Sequence, residues 1–513
     1  MNLKLRLISA AAIATCSMAS QAQLVTSACS AAITDAAAAE ALVANCAPVA
    51  TVFIGGASTQ SSNTLTVLNA SLFNTALMTP IEIVDNASPT KANIKAYIGR
   101  TKAITNGYPA GSLIYVVYNY NNGSAGGVSQ VLAKTPKLTD QSNPAKAIPE
   151  ATVAFVGPAK NINTPGGTVK NAFCGFAATQ VTSTATKVAC NSITTMTADL
   201  ALSDVRAQEL YSLYPAATLK PSTLTQVPLF VQSFGVAVSQ PLYIALQKKN
   251  GLDTTVCGVS PGIDTAACQP SISRADYASL IAVDGKIDSL AALTGDGTLT
   301  DELKLARRDD LSGTQAVSNI FFANGQCNGN NEVTVPKSID MAVAKAGGLM
   351  GGLAIRTNIE DDVTGVLDVQ SNSTSTDVRA AVGSTTAYAI GVGGVGSGGK
   401  QGTAGRFVKI DGVSPNFDGT NYMNATATRN QINNGYQFSY VMFGMYQTAM
   451  KDAAKKATVL ALLEGFKSSA VTNLSGIAYL DSDASNAIAD RQAKYSRVDT
   501  SGKTNNCSPL TKL

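Results

Sequence analysis

The sequence predicts an α/β protein, in which strands and helices alternate along the chain. The first observation is a short apolar run at 52–54 followed by the small residues 55–60 and a helical pattern. The second is a repeat of that order, in which apolar residues 113–118 lead through a Gly-rich turn at 123–127 into another helix. The third is the renewed alternation of strand-like and helix-like segments from Met341 onward. Such alternation is typical of α/β folds.

The composition narrows the possible classes of function. The chain has 513 residues, 45% hydrophobic and 14% charged, so it can bury a sizeable core and is expected to form two lobes or domains. A net charge of +4 without a run of Lys or Arg does not predict nucleic-acid binding. Histidine is absent, which excludes Ser-His-Asp and Cys-His catalysis and His-ligated zinc. We therefore expect no enzyme activity, no metal site and no cofactor.

The N-terminus has the pattern of a secretory signal peptide at residues 1–22. Lys4 and Arg6 precede an apolar region, and a small-x-small site ends at Ala22, where cleavage is expected. A lipoprotein is the competing interpretation, because the residues before Cys16 partly resemble a lipobox. Both interpretations predict export, and the first predicts a periplasmic or secreted protein.

The cysteine count suits an exported chain. Of nine cysteines, eight remain once Cys16 is set aside, and an even number in an exported protein indicates disulfides. Metal binding is the weaker interpretation, because no C-x-x-C pair exists. Proximity along the chain suggests three short bridges and, by elimination, a fourth: Cys29–Cys46, Cys174–Cys190, Cys257–Cys268 and Cys327–Cys507.

The residue patterns of four further segments each predict a structural element. Residues 23–48 are Ala-rich and are expected to form an N-terminal arm, and 133–195 has the composition of an inserted, disulfide-stapled loop region. A strand predicted at 227–238 is long enough to cross from one lobe to the other. The Gly-rich run 391–399 is interpreted as a flexible loop, because it lacks the context of a nucleotide-binding turn.

The segment from Arg308 to Thr314 combines groups that suit an oxyanion. A guanidinium precedes Ser312-Gly313-Thr314, which opens a predicted helix. The free N–H groups and the dipole at a helix start favour an anion, and arginine offers a charged planar fork. Taken alone, the same segment also fits a plain helix cap behind a charged loop.

Four segments in order resemble the periplasmic phosphate-binding proteins of ABC transporters. This chain resembles a divergent member of that family with insertions, and the short similar segments extend from about residue 50 to about residue 440. The family's Phe in the first loop is Thr59 here, and a Ser of the second loop is Ala125. The matching segments are Gly56-Ala57-Ser58-Thr59, Gly123-Ser124-Ala125-Gly126-Gly127, Asp199-Leu200-Ala201-Leu202-Ser203-Asp204 and Arg308-Asp309-Asp310-Leu311-Ser312-Gly313-Thr314.

The resemblance implies a two-lobed type II periplasmic-binding-protein-like fold, in which each lobe is a mixed sheet flanked by helices. Lobe 1 would comprise 49–232 with 403–513, including the insertion 133–195, and lobe 2 would comprise 233–402. The protein would capture inorganic phosphate or a similar oxyanion and deliver it to an ABC permease in the inner membrane. The implied phosphate-binding residues are Ser58, Thr59, Ser124, Asp204, Arg308, Ser312, Gly313 and Thr314.

Asp204 is the residue from which selectivity is expected. An ionised carboxylate only accepts hydrogen bonds, so it would accept the phosphate proton and repel sulfate, which carries none. Each implied residue also has a structural explanation. Asp204 and the Ser and Thr residues can cap helices, and Arg308 can pair with Asp309 or Asp310.

A second function class stays open at this stage. The chain is longer than a compact two-lobed receptor needs, carries the inserted segment and has few charges. These features also fit a secreted or cell-surface structural or adhesive protein that reuses the binding-protein fold. A phosphatase-like enzyme is disfavoured by the lack of histidine.

Overall fold

The computed structural model describes about three-fifths of the chain, and every structural statement below concerns that part. The signal peptide and most of the N-terminal arm lie outside it, so the cleavage after Ala22 stays a prediction. The described residues are 42, 46, 48–57, 63–85, 94–102, 108–120, 123–132, 139–140, 143–147, 153–156, 179–181, 186–190, 193–210, 223–281, 289–308, 312–323, 367–373, 375–396, 398–468, 476–480, 493–497 and 504–513.

The strands are numbered in chain order. They are β1 (Ala50–Gly56), β2 (Ile81–Asp85), β3 (Ile94–Arg100), β4 (Leu113–Asn119), β5 (Thr139–Asp140), β6 (Asn143–Ala147), β7 (Val153–Val156), β8 (Thr179–Val181), β9 (Thr186–Cys190), β10 (Ile193–Met196), β11 (Leu200–Ser203), β12 (Leu224–Val238), β13 (Ser271–Ile272), β14 (Leu303–Arg308), β15 (Leu367–Ser373), β16 (Tyr388–Gly394), β17 (Arg406–Phe407), β18 (Lys409–Ile410), β19 (Ser439–Gln447), β20 (Ala478–Tyr479), β21 (Tyr495–Arg497) and β22 (Leu510–Lys512).

The α-helices are numbered in the same way, and short 3₁₀ turns supplement them at Ala207–Leu210, Gly262–Asp264 and Ala266–Cys268. The α-helices are α1 (Thr64–Ser71), α2 (Gly123–Leu132), α3 (Gln240–Lys249), α4 (Thr254–Cys257), α5 (Arg274–Ile281), α6 (Leu290–Thr294), α7 (Gly313–Ala323), α8 (Ser375–Val382), α9 (Ala425–Asn433) and α10 (Ala453–Lys467).

One mixed sheet runs through the molecule. Its main path has the order β15-β14-β16-β12-β19-β11-β1-β4-β3-β2-β9-β8, and β17 and β20 pair with β12 beside that path. Helices α1 and α10 pack on one face of the β1 region, and α2 packs on the other. The predicted α/β class, a mixed sheet flanked by helices, is confirmed.

The long strand β12 joins the two halves of this sheet. Its first part pairs with β19 as far as Ser233, opposite Ser439, and its last part pairs with β16 from Phe234 onward. The strand predicted at 227–238 is therefore confirmed, and its passage from one lobe to the other stays a prediction. Strand β11 runs in the same direction as β12, because both are antiparallel to β19, whereas β14 runs against β12. The carboxyl ends of β11 and β14 consequently face each other between the two halves.

The interpretation of 391–399 as a flexible loop is wrong for its first four residues. Gly391 to Gly394 belong to β16, which pairs with both β12 and β14. A Cβ atom at Gly391 would lie 2.6 Å from the carbonyl oxygen of Ala306. Gly391 therefore allows β16 and β14 to approach closely, which counting glycines as loop formers does not anticipate.

The segment 133–195 contributes regular structure where a stapled loop was expected. Strand β9 pairs in parallel with β2, and β8 pairs with β9, so two strands extend the main sheet at its edge. Strands β7 and β10 form a separate antiparallel pair. The added strands cover the hydrogen-bonding groups that β2 would otherwise expose as an edge.

One of the four predicted disulfides is confirmed, and the other three pairings remain predictions. Cys257 and Cys268 form a bridge with a Cα–Cα distance of 5.1 Å. Cys46 and Cys507 are also disulfide-bonded, but their partners lie outside the described residues. Within the described part, no helix is both long and apolar enough to cross a bilayer.

Candidate functional site

Three of the four segments singled out in the sequence meet where the two halves of the sheet face each other. Ser124 lies in the first turn of α2, Asp204 follows β11, and Gly313 and Thr314 open α7. Strands β11, β1 and β4 are parallel neighbours, so their carboxyl ends lie at one edge of the sheet. Ligands of open α/β sheets bind at such an edge. We call Ser124, Asp204, Ser312, Gly313 and Thr314 the central cluster.

Asp204 is the centre of the hydrogen bonding in this cluster. Its backbone N–H donates to Oγ of Ser124 at 3.1 Å, across 80 residues of sequence. The hydroxyl of Thr314 donates to its Oδ2 at 3.1 Å, across 110 residues. Ser124, Asp204 and Thr314 are all buried, with exposures of 0%, 2% and 4%. The cluster therefore joins three distant parts of the chain away from solvent.

The first turn of α7 has the form that the sequence predicts for a capped helix. Oγ of Ser312 accepts from the backbone N–H of Gln315 at 3.3 Å, and the Ser312 carbonyl accepts from Ala316 at 3.0 Å. The N–H groups of Gly313 and Thr314 belong to the first turn, where an α-helix supplies no acceptor of its own. Capping and anion recognition are thus compatible at this helix start, because they use different N–H groups.

The central cluster has two walls, with the start of α7 on one side and Ser124 and Asp204 on the other. Gly313 allows these two walls to touch. A Cβ atom at this position would overlap Oγ of Ser124 and would lie 2.7 Å from Cβ and 2.9 Å from Oδ2 of Asp204. Any residue larger than glycine must push the helix away from both side chains. Glycine is required here by the close approach of the two walls.

Replacing Gly313 by alanine is expected to separate the walls of the central cluster. Overpacking a buried contact costs about 1–3 kcal/mol, so the free energy of unfolding should fall by that amount. Urea unfolding would measure the effect. Gly297→Ala is the matched control, because no atom lies within 4 Å of the Cβ position there. An unchanged unfolding midpoint in Gly313→Ala would contradict the close contact.

Arg308 lies at the carboxyl end of β14, on the wall that carries α7. Its side chain is partly buried, and its backbone N–H donates to Oε1 of Gln315 at 3.2 Å. Desolvation, followed by the charge of Arg308, lowers the pKa of Arg379 on the neighbouring helix α8. The guanidinium of Arg308 thus adds positive charge at the end of β14, where a second arginine lies within electrostatic range.

Tyr118 is a part of the site that the sequence reasoning missed. It is fully buried near the end of β4, and its hydroxyl donates to the carbonyl oxygen of Ala57, the residue that follows β1. Burial, and after it the charge of Asp204, raises the pKa of Tyr118 well above its usual range. The only available signal was its position at the carboxyl end of a buried strand beside the first loop.

The glycines of the first two predicted loops bring α2 against β1. A Cβ atom at Gly127 would lie 2.6 Å from Cα of Gly56, and a Cβ at Gly56 would overlap the carbonyl of Leu202. Gly56 and Gly123 also have positive φ angles of 125° and 59°. These glycines therefore set the distance between the sheet and the helix that carries Ser124.

The residues after Asp204 are fastened to the C-terminal segment. The carboxylate of Glu209 is 1% exposed and accepts from Arg206 Nε at 2.7 Å and from its backbone N–H at 2.8 Å. It also accepts from the backbone N–H and from Nδ2 of Asn506, both at 3.0 Å. Arg206 Nη2 donates to Oδ1 of Asn505 at 2.6 Å. We call Arg206, Glu209, Asn505 and Asn506 the C-terminal clasp.

The placement of the remaining predicted site residues is as follows. Ser58 and Thr59 lie outside the described residues, as do the possible partners of Arg308 at Asp309 and Asp310. Ser124, Asp204, Ser312, Gly313 and Thr314 are brought together, and Arg308 lies at the end of the strand before α7. In the described part, no group of three or more acidic or cysteine side chains is arranged to hold a metal ion.

Comparison with solved structures finds similar chains among transport receptors. An ABC-type phosphate transport receptor from Vibrio cholerae is 12% identical, with a TM-score of 0.34 over 81% of this chain and 94% of that one. A putative phosphate ABC transporter substrate-binding protein with bound phosphate, from Clostridium perfringens, is 10% identical, with a TM-score of 0.33 over 82% and 94%. A possible phosphate-binding protein from Planctomyces limnophilus is 12% identical, with a TM-score of 0.29 over 82% and 88%.

No protein-family model matches this sequence, and no curated protein does. The TM-scores of the similar structures are all below 0.5. Function therefore has to be inferred from the geometry of the central cluster itself.

Proposed function

We propose that the protein is an exported solute-binding protein that holds inorganic phosphate, or a related oxyanion, between the two halves of the sheet. The observation that carries the proposal is the meeting of Ser124, Asp204, Gly313 and Thr314 from three distant segments. Each segment approaches the same point from the carboxyl end of a strand. Ser58 and Thr59, which follow the Ala57 carbonyl held by Tyr118, complete the proposed set together with Arg308 and Ser312.

The cluster supplies mostly hydrogen-bond donors, which suits an oxyanion. The starts of α2 and α7 contribute N–H groups and the positive ends of two helix dipoles. A Ser or Thr hydroxyl that accepts one hydrogen bond still has its own O–H to donate. Arg308 would add a charge-assisted contact, each of which contributes about 1.5–3 kcal/mol. Micromolar affinity corresponds to about 8 kcal/mol, so a few such contacts are sufficient after ordering costs.

Asp204 would determine which oxyanion is held. Thr314 donates to one of its oxygens and the burial of both residues fixes that carboxylate inside the cluster. Near neutral pH phosphate retains a proton that an ionised carboxylate can accept, whereas sulfate has none and is repelled. In this proposal, the anion touches both halves of the sheet and favours the closed arrangement, which an ABC permease would recognise.

The proposed selectivity is tested by replacing Asp204 with asparagine. The amide keeps an oxygen for Thr314 and turns the other acceptor into a donor, so sulfate binding should rise at least about tenfold relative to phosphate. Titration calorimetry with phosphate and with sulfate measures this ratio. Asp253→Asn is the matched control, because Asp253 is an exposed helix cap outside the cluster and asparagine caps equally well. Unchanged discrimination in Asp204→Asn would remove the proton-reading role.

One observation favours a second function, that of an exported structural or adhesive protein. Gly313 lies directly against Ser124 and Asp204, so the two walls already pack on each other. A packed contact of this kind can also hold a fold together without a ligand. A thermal-shift series with phosphate, with sulfate and with neither anion separates the two functions. A phosphate-specific rise in Tm supports binding, and no response together with large assemblies in solution supports the structural function.

A further inference from the structure

We propose that Gln315 is a positioning residue that locks Arg308 and the first turn of α7 into one unit. This inference rests on the proposed function, because Arg308 and the start of α7 form one wall of the anion site. Gln315 is 5% exposed and its backbone N–H completes the cap of α7 by donating to Ser312. Its side chain makes two further hydrogen bonds, and these carry the proposal.

The first of these bonds departs from the usual geometry of a capped helix. In a capping box, a glutamine three residues after the capping serine accepts from the backbone N–H of that serine. Here Oε1 of Gln315 accepts instead from the backbone N–H of Arg308 at 3.2 Å, at the end of β14. The side chain therefore ties the end of β14 to the first turn of α7.

The second bond fixes the orientation of the amide. Nε2 of Gln315 donates to Oδ1 of Asn319, one helical turn further along α7, at 2.8 Å. Asn319 is buried as well. With its nitrogen engaged by Asn319, the amide presents its oxygen to Arg308. One side chain thus connects the strand that ends in Arg308, the capping Ser312 and the body of the helix.

The consequence for binding is that Gln315 acts through Arg308. A guanidinium on an untethered strand end samples many positions, and ordering it costs part of the affinity that it contributes. The hydrogen bond between the Arg308 N–H and Gln315 holds the strand end in place before the ligand binds, so this ordering cost is not incurred on binding. Replacing Gln315 by methionine retains a side chain of similar length and removes both amide bonds, so the Kd for phosphate should rise about tenfold.

A double-mutant cycle distinguishes this role from general destabilisation. Gln315→Met should raise the Kd about tenfold in the otherwise native protein and less than about twofold in Arg308→Ala, because the residue through which it acts is gone. Equal losses in both backgrounds would overturn the positioning role. The free energy of unfolding is measured by urea in the same four proteins. If Gln315 had a merely structural role, Gln315→Met would change this free energy by the same amount with and without Arg308.

Amide exchange of Arg308 supplies a readout that does not need a ligand. Hydrogen–deuterium exchange at this N–H should be at least about tenfold faster in Gln315→Met. In Gln315→Glu, which retains an acceptor oxygen, exchange should stay slow. Slow exchange in both variants would overturn the tether. A native protein that binds no phosphate would overturn the proposed function instead, and the exchange rates would still decide whether Gln315 holds Arg308.

Discussion

Replacing Arg308 by alanine is expected to raise the Kd for phosphate by about 100-fold. The guanidinium is the charged donor of the proposed site, and loss of a contact worth about 3 kcal/mol corresponds to that factor. Arg308 lies at the end of β14, beside the first turn of α7, and is tied there by Gln315. Titration calorimetry at low ionic strength measures the change directly.

Two variants make the Arg308 result interpretable. Arg308→Lys retains the charge but loses the planar fork, so it should fall between the native protein and the alanine variant. Lys248→Ala removes a cation that pairs with Asp296 on the surface, far along the chain from the cluster, and should leave the affinity unchanged. Native affinity in Arg308→Ala would take this arginine out of the site.

Replacing Glu209 by alanine is expected to lower the free energy of unfolding by about 3–5 kcal/mol, the range for breaking a buried ion pair. The change leaves Arg206 and the amide of Asn506 without the carboxylate that accepts four hydrogen bonds from them. Glu209 lies five positions after Asp204, so the loop that carries Asp204 should also lose its anchor. A reduced urea midpoint, together with weaker phosphate binding, would be the combined signature.

The controls for Glu209 separate shape from charge. Glu209→Gln retains the shape and one acceptor oxygen, so its cost should be lower, at about 1–3 kcal/mol. Glu464→Ala removes a carboxylate whose side chain is 66% exposed and should change stability by less than about 0.5 kcal/mol. If Glu209→Ala unfolded at the same urea concentration as Glu464→Ala, the clasp would have no stabilising role.

Local pattern was sufficient to predict much of the fold. The apolar run at 113–118 corresponds to β4, the helix predicted after residues 55–60 is α1, and the strand predicted at 227–238 lies in β12. These elements depend on neighbouring residues, which is the information that periodicity and turn residues contain. The strand β16 was missed for the opposite reason, because Gly391 is explained by a close contact with Ala306 of the neighbouring strand β14.

The residues of the candidate site were likewise predicted only in part from the sequence. Ser124, Asp204, Gly313 and Thr314 were singled out from segment order, and the structure brings them together. The residues that hold these four in place were not predicted, because their contacts join residues that are distant in the chain. Tyr118 reaches back 61 residues to Ala57, and Asn506 meets Glu209 across 297 residues. Gln315 has a local signal, but that signal predicts an ordinary capping box and does not predict contact with Arg308.

The pairing of β12 with β19 determines when the molecule can finish folding. Ser233 lies opposite Ser439, so 206 positions of sequence separate two residues that are neighbours in the sheet. Strand β11 also pairs with β19, which means that the N-terminal strands have no complete sheet until residue 447 has been synthesised. Contacts this distant are formed late and slowly. A chain built in this way stays incompletely folded during synthesis, and the edge of β11 has no partner strand until β19 is available.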